Sequence, residues 1–363
     1  MAEAFRIAIN TGGGDAPGLN AVIRAVVLSA RRRGWEVFGI EKGYGALLGQ
    51  GSILPLDAES VRGITHTGGT ILGTSNRGNP FEWQTRDESG QPIVVDRSDE
   101  VVAAFRREGF GALIAIGGDG SLRIANGLVR KGLPVIGVPK TIDNDLGITF
   151  ATFGFHTAVQ TASEALDKLH STAESHERVM VVEVMGRHAG WIALHAGLSA
   201  TADVILMPEI PYDIGRVCEK IEYRYATGRN FAIVVVAEGA IPRGGEASYV
   251  ESGGPGHAAR YGGAAERVAK HIMDRTGRET RTLVLGHLQR GGSPTAYDRL
   301  IALRFGAAAV RFADARTFGV MVALDPPDVR AVPLEEAIQH IRRVPLDSDT
   351  VLTARDLGVS LGD

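Results

Sequence analysis

Short, continuously apolar runs alternate along this chain with longer amphipathic segments. The apolar runs are rich in Val and Ile, as expected for strands of a parallel sheet that is covered on both faces. Strands are predicted at Phe5–Ile9, Trp35–Ile40, Ala112–Ile116, Pro134–Val138, Val179–Val184, Val204–Met207, Phe231–Ala237, Thr282–Leu285 and Met321–Leu324. Helices are predicted at Leu19–Arg33, Leu122–Lys131, Thr157–Thr172, Val217–Ala226 and Ala264–Thr276. This repetition predicts a doubly wound α/β fold.

Length and composition narrow the class of protein. A chain of 363 residues with 44% apolar residues predicts two packed domains. A net charge of -3, without a strongly basic half, argues against a nucleic-acid partner. Cys218 is the one cysteine, so no internal disulfide forms, which fits the reducing cytoplasm. Neither a signal peptide nor a membrane-spanning apolar run is evident, and we expect a cytoplasmic protein without a membrane partner.

Two stretches mark the organisation of the chain. A domain boundary is predicted near Phe150–Phe155, after the first group of strands. The glycine-rich stretch Gly244–Gly263 is predicted to be an insertion without strand or helix. An insertion of that length is either a functional flap or a disordered loop.

A glycine-rich loop, Thr11–Asn20, follows the first predicted strand. Its glycines allow the backbone to approach a phosphate, and the next helix would offer its N-terminus to an anion. Pro17 breaks the dinucleotide-binding spacing, and the dipeptide Gly-Lys of a Walker A loop is absent from the sequence. The loop therefore predicts a phosphate site of another kind, or a tight turn between strand and helix.

The third predicted strand is followed by Gly117-Gly118-Asp119-Gly120-Ser121. A carboxylate at a strand end is suited to Mg²⁺ that bridges nucleotide phosphates, which makes Asp119 the predicted metal ligand. Helix capping is the structural alternative for both Asp119 and Ser121.

The fourth predicted strand is followed by Lys140-Thr141-Ile142-Asp143-Asn144-Asp145. In extended backbone, Asp143 and Asp145 would point to the same side. One carboxylate can then accept a hydroxyl proton, while Lys140 neutralises developing charge. An Asp/Asn turn would explain the composition but not the nearby lysine.

Cationic side chains follow in the second half of the chain and would suit a sugar phosphate. They are Arg178, Arg187, Arg281, His287 and Arg290. Glu238, at the end of an apolar strand, would suit sugar hydroxyls. His188 and His195 receive no catalytic role, because a histidine packed in the core explains either of them equally well.

Together these motifs resemble the 6-phosphofructokinase family from about Arg6 to about Leu324. The resemblance is carried by GGGDAPGLNAVIR, GGTILGTS, IGGDGS, PKTIDND, ESHERVMVVEVMGRHAG and LGHLQRGGSPTAYDR. It implies two Rossmann-like, three-layer α/β domains with mostly parallel sheets and the active site in the cleft between them. The larger, donor-binding domain would comprise residues 1–152 and about 290–336. The smaller, sugar-phosphate-binding domain would comprise residues 153–289 and about 337–363.

The resemblance also implies a role for each matching residue. Asp143 resembles the general base that takes the proton of the fructose 1-hydroxyl, and Thr141, Asp145, Lys140 and Arg187 resemble its catalytic neighbours. Asp119 resembles the Mg²⁺ ligand. Residues resembling the donor site are Gly13, Gly14, Arg77, Gly118, Asp119, Gly120 and Ser121. Residues resembling the sugar-phosphate site are Thr141, Asp143, Arg178, Met185, Gly186, Arg187, Glu238, Arg281, His287 and Arg290. In the family, the counterparts of Arg178 and Arg281 come from an adjacent subunit, which implies a homo-oligomer, usually a tetramer, with a dimer as the alternative.

The phosphoryl donor depends on two positions. Pyrophosphate-dependent members carry Asp where this chain has Gly120, and glycine leaves room for the α-phosphate of ATP. Lys140 stands where many ATP-dependent members have glycine, but lysine can bind either donor. The expected reaction is therefore transfer from ATP to the 1-hydroxyl of fructose 6-phosphate. Arg77 departs from the family pattern, because Asn76 precedes it in the donor segment.

Four other functions compete with this interpretation. A pyrophosphate-dependent phosphotransferase would differ only in its donor. A nicotinamide-dependent oxidoreductase is disfavoured by the failed glycine spacing. A non-catalytic sugar-phosphate sensor would be expected to have lost a carboxylate, yet Asp119, Asp143 and Asp145 are present. A kinase for another sugar phosphate is disfavoured by the intact set of arginines.

Overall fold

The computed structural model describes residues 4–75, 78–251 and 260–363. Its strands are β1 (Arg6–Thr11), β2 (Glu36–Ile40), β3 (Ile53–Leu56), β4 (Trp83–Arg86), β5 (Pro92–Val95), β6 (Ala112–Gly117), β7 (Val135–Thr141), β8 (Phe153–Gly154), β9 (Val179–Val184), β10 (Val204–Leu206), β11 (Ala232–Ala237), β12 (Tyr249–Glu251), β13 (Arg260–Tyr261), β14 (Thr280–Val284), β15 (Val320–Asp325) and β16 (Asp328–Pro333). Its α-helices are α1 (Leu19–Arg31), α2 (Ser98–Arg107), α3 (Asp119–Arg130), α4 (Phe155–His176), α5 (Trp191–Ser199), α6 (Ile214–Ala226), α7 (Ala264–Thr276), α8 (Ala296–Asp314), α9 (Leu334–Ala337) and α10 (Asp349–Asp356).

The chain divides into two compact units. The first contains the described residues of Met1–Ile142, Leu146–His156 and Arg290–His340. The second contains Asp143–Asp145, the described residues of Thr157–Gln289, and Ile341–Asp363. Each unit is built around its own sheet and its own hydrophobic core.

The sheet of the first unit has the strand order β16-β15-β7-β6-β1-β2-β3, with β8 paired to β7. Its pairings are parallel except at the two edges, where β3 and β16 run antiparallel to their neighbours. Helices α1 and α8 cover one face, and α2, α3 and α9 cover the other. Helices α1 and α8 can pack closely because Gly306 has no side chain. A Cβ at this position would lie only 2.6 Å from the Val22 carbonyl oxygen.

The sheet of the second unit has the order β10-β11-β9-β14, and all three of its pairings are parallel. The side chains of Val181 and Val234 face α6 and α7 in one buried cluster. On the opposite face, α5 packs against β10 and β11 at Gly197, where a Cβ would come within 2.7 Å of Ile205. Each sheet is thus a layer between helices, as the α/β prediction requires.

The predicted fold class is confirmed, and each predicted strand and helix has a counterpart in the structure. Helix α8 was not predicted, although it is 19 residues long. The prediction that Gly244–Gly263 lacks strands is wrong, because Tyr249–Glu251 pairs antiparallel with Arg260–Tyr261. Within the described parts of the chain, no helix combines the length and apolarity needed to cross a membrane.

Candidate active site

The candidate phosphate-binding region of the first unit lies where three parallel strands end. Strands β1, β6 and β7 are neighbours, and their carboxyl ends meet at one edge of the sheet. The Gly12 N–H donates to the Ile116 carbonyl oxygen at 2.9 Å, which ties the loop after β1 to the end of β6. Open α/β sheets bind ligands at such an edge.

Two cationic side chains hold the loop after β1. Lys140 Nζ donates to the carbonyl oxygen of Gly14, and the lysine is only 3% exposed. Arg290 Nη1 donates to the Asp15 carbonyl oxygen at 3.1 Å. Gly13 adopts a φ of 75°, which favours glycine. Both cations therefore lie beside a backbone that can approach phosphate closely.

Helix α3 presents its N-terminus at the same edge. Its first internal hydrogen bond runs from the Leu122 N–H to the Gly118 carbonyl oxygen at 2.9 Å. The N–H groups of Asp119, Gly120 and Ser121 precede that bond and are suited to an anion. The N-cap is Gly118, without a side-chain cap, so the capping alternatives for Asp119 and Ser121 are wrong.

Asp119 provides the carboxylate of this region. It is half-buried, and its Oδ2 accepts a hydrogen bond from Arg123 Nε at 3.0 Å. In the described parts of the chain, no cluster of three or more His, Cys, Asp or Glu side chains is arranged for a metal. The half-buried carboxylate of Asp119 fits Mg²⁺, which is commonly held by one or two carboxylates together with substrate phosphates and water.

A cavity of about 540 Å³ adjoins the loop after β1. Ser75 lines it, and the Ser75 carbonyl oxygen accepts a hydrogen bond from the Gly13 N–H at 3.2 Å. The cavity is lined by Lys42, Gly45, Gln50, Gly51, Ser75, Trp83 and Gln84. Arg77, the predicted donor contact, lies outside the described residues.

The carboxylates after β7 are arranged differently from the prediction. Strand β7 ends at Thr141, whose carbonyl oxygen accepts a 2.7 Å hydrogen bond from Thr152 Oγ1. Asn144 has a left-handed φ of 51°, so the backbone from Asp143 to Asp145 is not extended, and the argument from extended backbone is wrong. Oδ1 of Asp143 is buried, while the Asp145 carbonyl oxygen accepts from the Arg342 N–H at 2.8 Å.

A cavity of about 530 Å³ in the second unit collects several of the predicted sugar-site residues. Met185, Glu238 and His287 line it, at the carboxyl ends of β9, β11 and β14. Its full lining is Glu183, Val184, Met185, Glu238, Val250, Tyr261, Gly262, Gly263, Glu266, Val284, Gly286 and His287. We call this cavity the acceptor pocket.

Arg187 lies beside the acceptor pocket, against the ring of Tyr261, which lines it. Its guanidinium carbon lies 5.1 Å from the centroid of the Tyr261 ring. Gly186 precedes it with a φ of 139°. A Cβ on Gly239 would lie 2.1 Å from the Arg187 carbonyl oxygen, so Gly239 is required for this backbone contact. Gly239 was missed in the sequence, although it directly follows Glu238 at a strand end.

Gln289, also missed, links two sides of the acceptor pocket. It is fully buried, and its Oε1 accepts from the Met185 N–H at 3.3 Å. Its Nε2 donates to the Gly286 carbonyl oxygen at 3.2 Å. The side chain thereby joins the end of β9 to the turn after β14. Its position inside the HLQRGG motif was the only signal available in the sequence.

Glu183 is a buried carboxylate that sequence reasoning also missed. It lies in β9, is 3% exposed and lines the acceptor pocket. Burial raises the pKa of the Glu183 carboxyl, against the opposing effect of a hydrogen bond from the Ala265 N–H at 3.0 Å. The side chain thus connects β9 to the first turn of α7.

Replacing Glu183 by glutamine is expected to stabilise the protein more at neutral than at acidic pH. The pKa of the Glu183 carboxyl is higher in the folded protein than in the unfolded chain, where it is about 4.3. The wild-type protein therefore loses stability as the pH rises from about 4.3 through the folded-state pKa. Glutamine keeps an acceptor for Ala265 and does not ionise. Urea unfolding at about pH 4.5 and about pH 8 measures the difference between variant and wild type. A difference that is independent of pH would contradict this prediction.

Arg178 and Arg281 lie together, away from the acceptor pocket. Both contact Glu279, from Arg178 Nε at 3.0 Å and from Arg281 Nη2 at 2.5 Å. The Arg178 guanidinium beside Glu279 is the main cause that lowers the pKa of the Glu279 carboxyl. The two arginines are at the amino ends of β9 and β14, about 17 Å along β9 from Glu183 and about 10 Å along β14 from Val284. Neither arginine therefore lines the acceptor pocket of its own chain.

Known proteins similar to this chain match it over nearly its full length. The sequence profile described as "PFK: Phosphofructokinase" matches residues 6–313. The chain is 54% identical to an "ATP-dependent 6-phosphofructokinase" of Chloroflexus aurantiacus, over 99% of this chain and 98% of that protein. It is 50% identical to a "Pyrophosphate--fructose 6-phosphate 1-phosphotransferase" of Amycolatopsis mediterranei, over 94% of this chain and 97% of that protein. The solved phosphofructokinase of Saccharomyces cerevisiae is similar with a TM-score of 0.78 and 32% identity, over 92% of this chain and 45% of the yeast chain.

Proposed function

The chain belongs to the phosphofructokinase family, and from this premise we propose that it is an ATP-dependent 6-phosphofructokinase. It would transfer the terminal phosphoryl group of ATP to the 1-hydroxyl of fructose 6-phosphate, with Mg²⁺ as cofactor. The observation that carries the proposal is 54% identity, over 99% of the chain, to a protein named for this activity. The arrangement of each unit supports it.

The first unit would bind the donor. The N–H groups at the start of α3 and the ammonium of Lys140 would hold the phosphates, because both favour negative charge. Asp119 would hold Mg²⁺, which neutralises charge on the donor oxygens. Arg123 would then have to release the Asp119 carboxylate, and a hydrogen bond that is half exposed to solvent is readily exchanged.

The second unit would bind the acceptor. Glu238 would accept hydrogen bonds from sugar hydroxyls, and Arg187 and His287 would hold the anionic end of the sugar. Asp143 would accept the proton of the attacking hydroxyl, since a carboxylate is the usual base for this step. Thr141 and Asp145 flank Asp143 and would hold the hydroxyl and the metal in position.

Two structural observations favour ATP as the donor. A Cβ on Gly120 would meet no atom within 4 Å, so this position leaves room for the α-phosphate of a nucleotide. The cavity beside Ser75 has the size of a small-ligand site, and pyrophosphate has no group to fill it. Lys140 and the 50% identity to the Amycolatopsis protein keep pyrophosphate as the second candidate.

The placement of Arg178 and Arg281 supports an oligomer. These arginines lie at the amino ends of their strands, where they are available to the acceptor site of a second copy. Their shared partner, Glu279, is exposed, and the ion pairs therefore compete only weakly with an incoming sugar phosphate. We infer a homo-oligomer, with a tetramer expected, in the cytoplasm.

Initial rates with the two donors test the proposal. Purified protein is supplied with fructose 6-phosphate and Mg²⁺, and with either ATP or pyrophosphate, and sugar bisphosphate is measured by a coupled assay. We expect turnover with ATP and a much lower rate with pyrophosphate. A preference for pyrophosphate would reject ATP as the donor, and no turnover with either would reject the proposed function.

A further inference from the structure

The acceptor pocket has a wall that the proposed reaction does not explain. This wall is the tyrosine arm, which we define as the paired strands Tyr249–Glu251 and Arg260–Tyr261. Val250 and Tyr261 of the arm line the acceptor pocket together with Met185 and His287. The arm lies within the glycine-rich stretch to which no role was assigned from the sequence.

The Arg187 guanidinium lies against an aromatic ring of the tyrosine arm. Its Nε is buried and makes no hydrogen bond within the described chain. Among the residues that the structure describes, no carboxylate forms an ion pair with it. The ring of Tyr261, 5.1 Å away, is therefore the contact that orients this guanidinium. An aromatic ring, unlike a carboxylate, does not neutralise the guanidinium charge, so this charge is available to bind an anionic ligand.

Tyr261 is itself held in place on several sides. Tyr249 is its register partner, and the two ring centroids are 4.8 Å apart. The next residue, Gly262, donates its N–H to the Ser248 carbonyl oxygen at 3.3 Å. Glu183 then anchors the start of α7 through the Ala265 N–H. The ring is thus fixed relative to β9, and Arg187 follows the last residue of that strand by three positions.

We propose that Tyr261 is a positioning residue: its ring orients the guanidinium of Arg187 for the anionic sugar and so sets the affinity of the acceptor pocket. This inference rests on the proposed function, because it assigns the pocket to a sugar phosphate. Tyr261 acts through Arg187, and no contact of the tyrosine with the reacting atoms is required.

Replacing Tyr261 by leucine is expected to raise the KM for fructose 6-phosphate by about 2- to 30-fold, the range spanned by loss of a cation–π contact. The KM for the donor and the kcat should change by less than about twofold, because binding and not chemistry is weakened. Tyr261→Phe keeps the ring and should stay within about threefold of wild type.

Tyr223→Leu is the matched control. Tyr223 lies on α6 and is 64% exposed, and Lys220 Nζ is 5.6 Å from its ring centroid. The same substitution there also removes a cation–π contact, but outside the acceptor pocket. Sugar KM should be unchanged in this variant, and thermal unfolding of all variants checks that they fold.

A double-mutant cycle with Arg187→Ala distinguishes positioning from packing. If Tyr261 acts through Arg187, Tyr261→Leu should weaken sugar binding by less than about twofold once Arg187 is absent. Additive losses would overturn the inference, as would a sugar KM in Tyr261→Leu equal to that of wild type.

Direct binding of fructose 6-phosphate, measured by calorimetry, separates this inference from the proposed function. Wild-type binding that Tyr261→Leu weakens supports the inference even if neither donor gives turnover, an outcome that rejects only the proposed function. Normal turnover with unchanged binding in Tyr261→Leu rejects only the inference. Absence of both binding and turnover in wild type contradicts both.

Discussion

Replacing Asp143 by asparagine is expected to lower kcat by about 10²–10⁴, the contribution usual for a general base. Asparagine has nearly the same shape as aspartate, but its side chain cannot accept the hydroxyl proton. Oδ1 of Asp143 is buried and the residue follows β7 directly, so the side chain is held near the end of a rigid strand. Because the loss is in chemistry, the KM for the sugar should change by less than about tenfold.

Asp274→Asn is the control for this variant. Asp274 is an exposed carboxylate on α7 that contributes to neither candidate site. The same loss of charge there should leave kcat unchanged. Equal thermal stability of both variants would show that the fold is retained. A kcat in Asp143→Asn within about tenfold of wild type would reject Asp143 as the base.

Replacing Gly120 by aspartate is expected to lower kcat/KM for ATP by about a hundredfold or more. The position faces open space, so the fold should accept the side chain, and an acid near a helix N-terminus favours the helix. The cost falls on the bound nucleotide, since two like charges 4 Å apart repel by about 4 kcal/mol at an effective dielectric constant of 20. Steady-state kinetics with ATP measure the loss, and pyrophosphate, which lacks an α-phosphate, should lose less.

Gly120→Ala separates charge from size. Alanine adds the same Cβ without the carboxylate, and that Cβ has no neighbour within 4 Å. Activity with ATP should therefore stay within about threefold of wild type. If alanine and aspartate lower the activity equally, steric exclusion and not charge governs this position. If aspartate has no effect, the nucleotide does not pass Gly120.

The parts of the site that could be predicted from the sequence are those where one strand carries its own motif. Asp119 follows β6 and Lys140 ends β7, and the parallel order of β1, β6 and β7 brings both to one edge with the loop after β1. Apolar runs mark the strands and glycines mark their ends, so local pattern and sheet geometry together place these side chains.

The parts that could not be predicted depend on pairing between distant segments. Arg178 and Arg281 are neighbours only through the register of β9 and β14, where Arg281 lies opposite Met180. Glu183 sits inside an apolar run, and no local pattern shows that the start of α7 will donate to it. The sequence shows such residues but not which backbone will approach them.

Helix α8 and the two strands of the tyrosine arm are among the elements that were not predicted, because their own signals are weak. Helix α8 is rich in alanine and buried on several sides, since it packs against both α1 and the sheet, so its apolar periodicity is poor. The strands of the tyrosine arm are only three and two residues long in a glycine-rich stretch. Strands this short are stabilised by cross-strand pairs such as Tyr249 and Tyr261 and not by intrinsic propensity.

The proposed reaction moves one phosphoryl group from a nucleotide to a sugar phosphate. Phosphorus NMR of the purified protein with ATP, Mg²⁺ and fructose 6-phosphate follows that group from donor to product. We predict that ADP and the 1-phosphate resonance of fructose 1,6-bisphosphate appear in equal amounts, without free phosphate, and that Asp143→Asn forms them far more slowly. Release of the phosphoryl group as inorganic phosphate, or its appearance on another hydroxyl, would rule out this reaction.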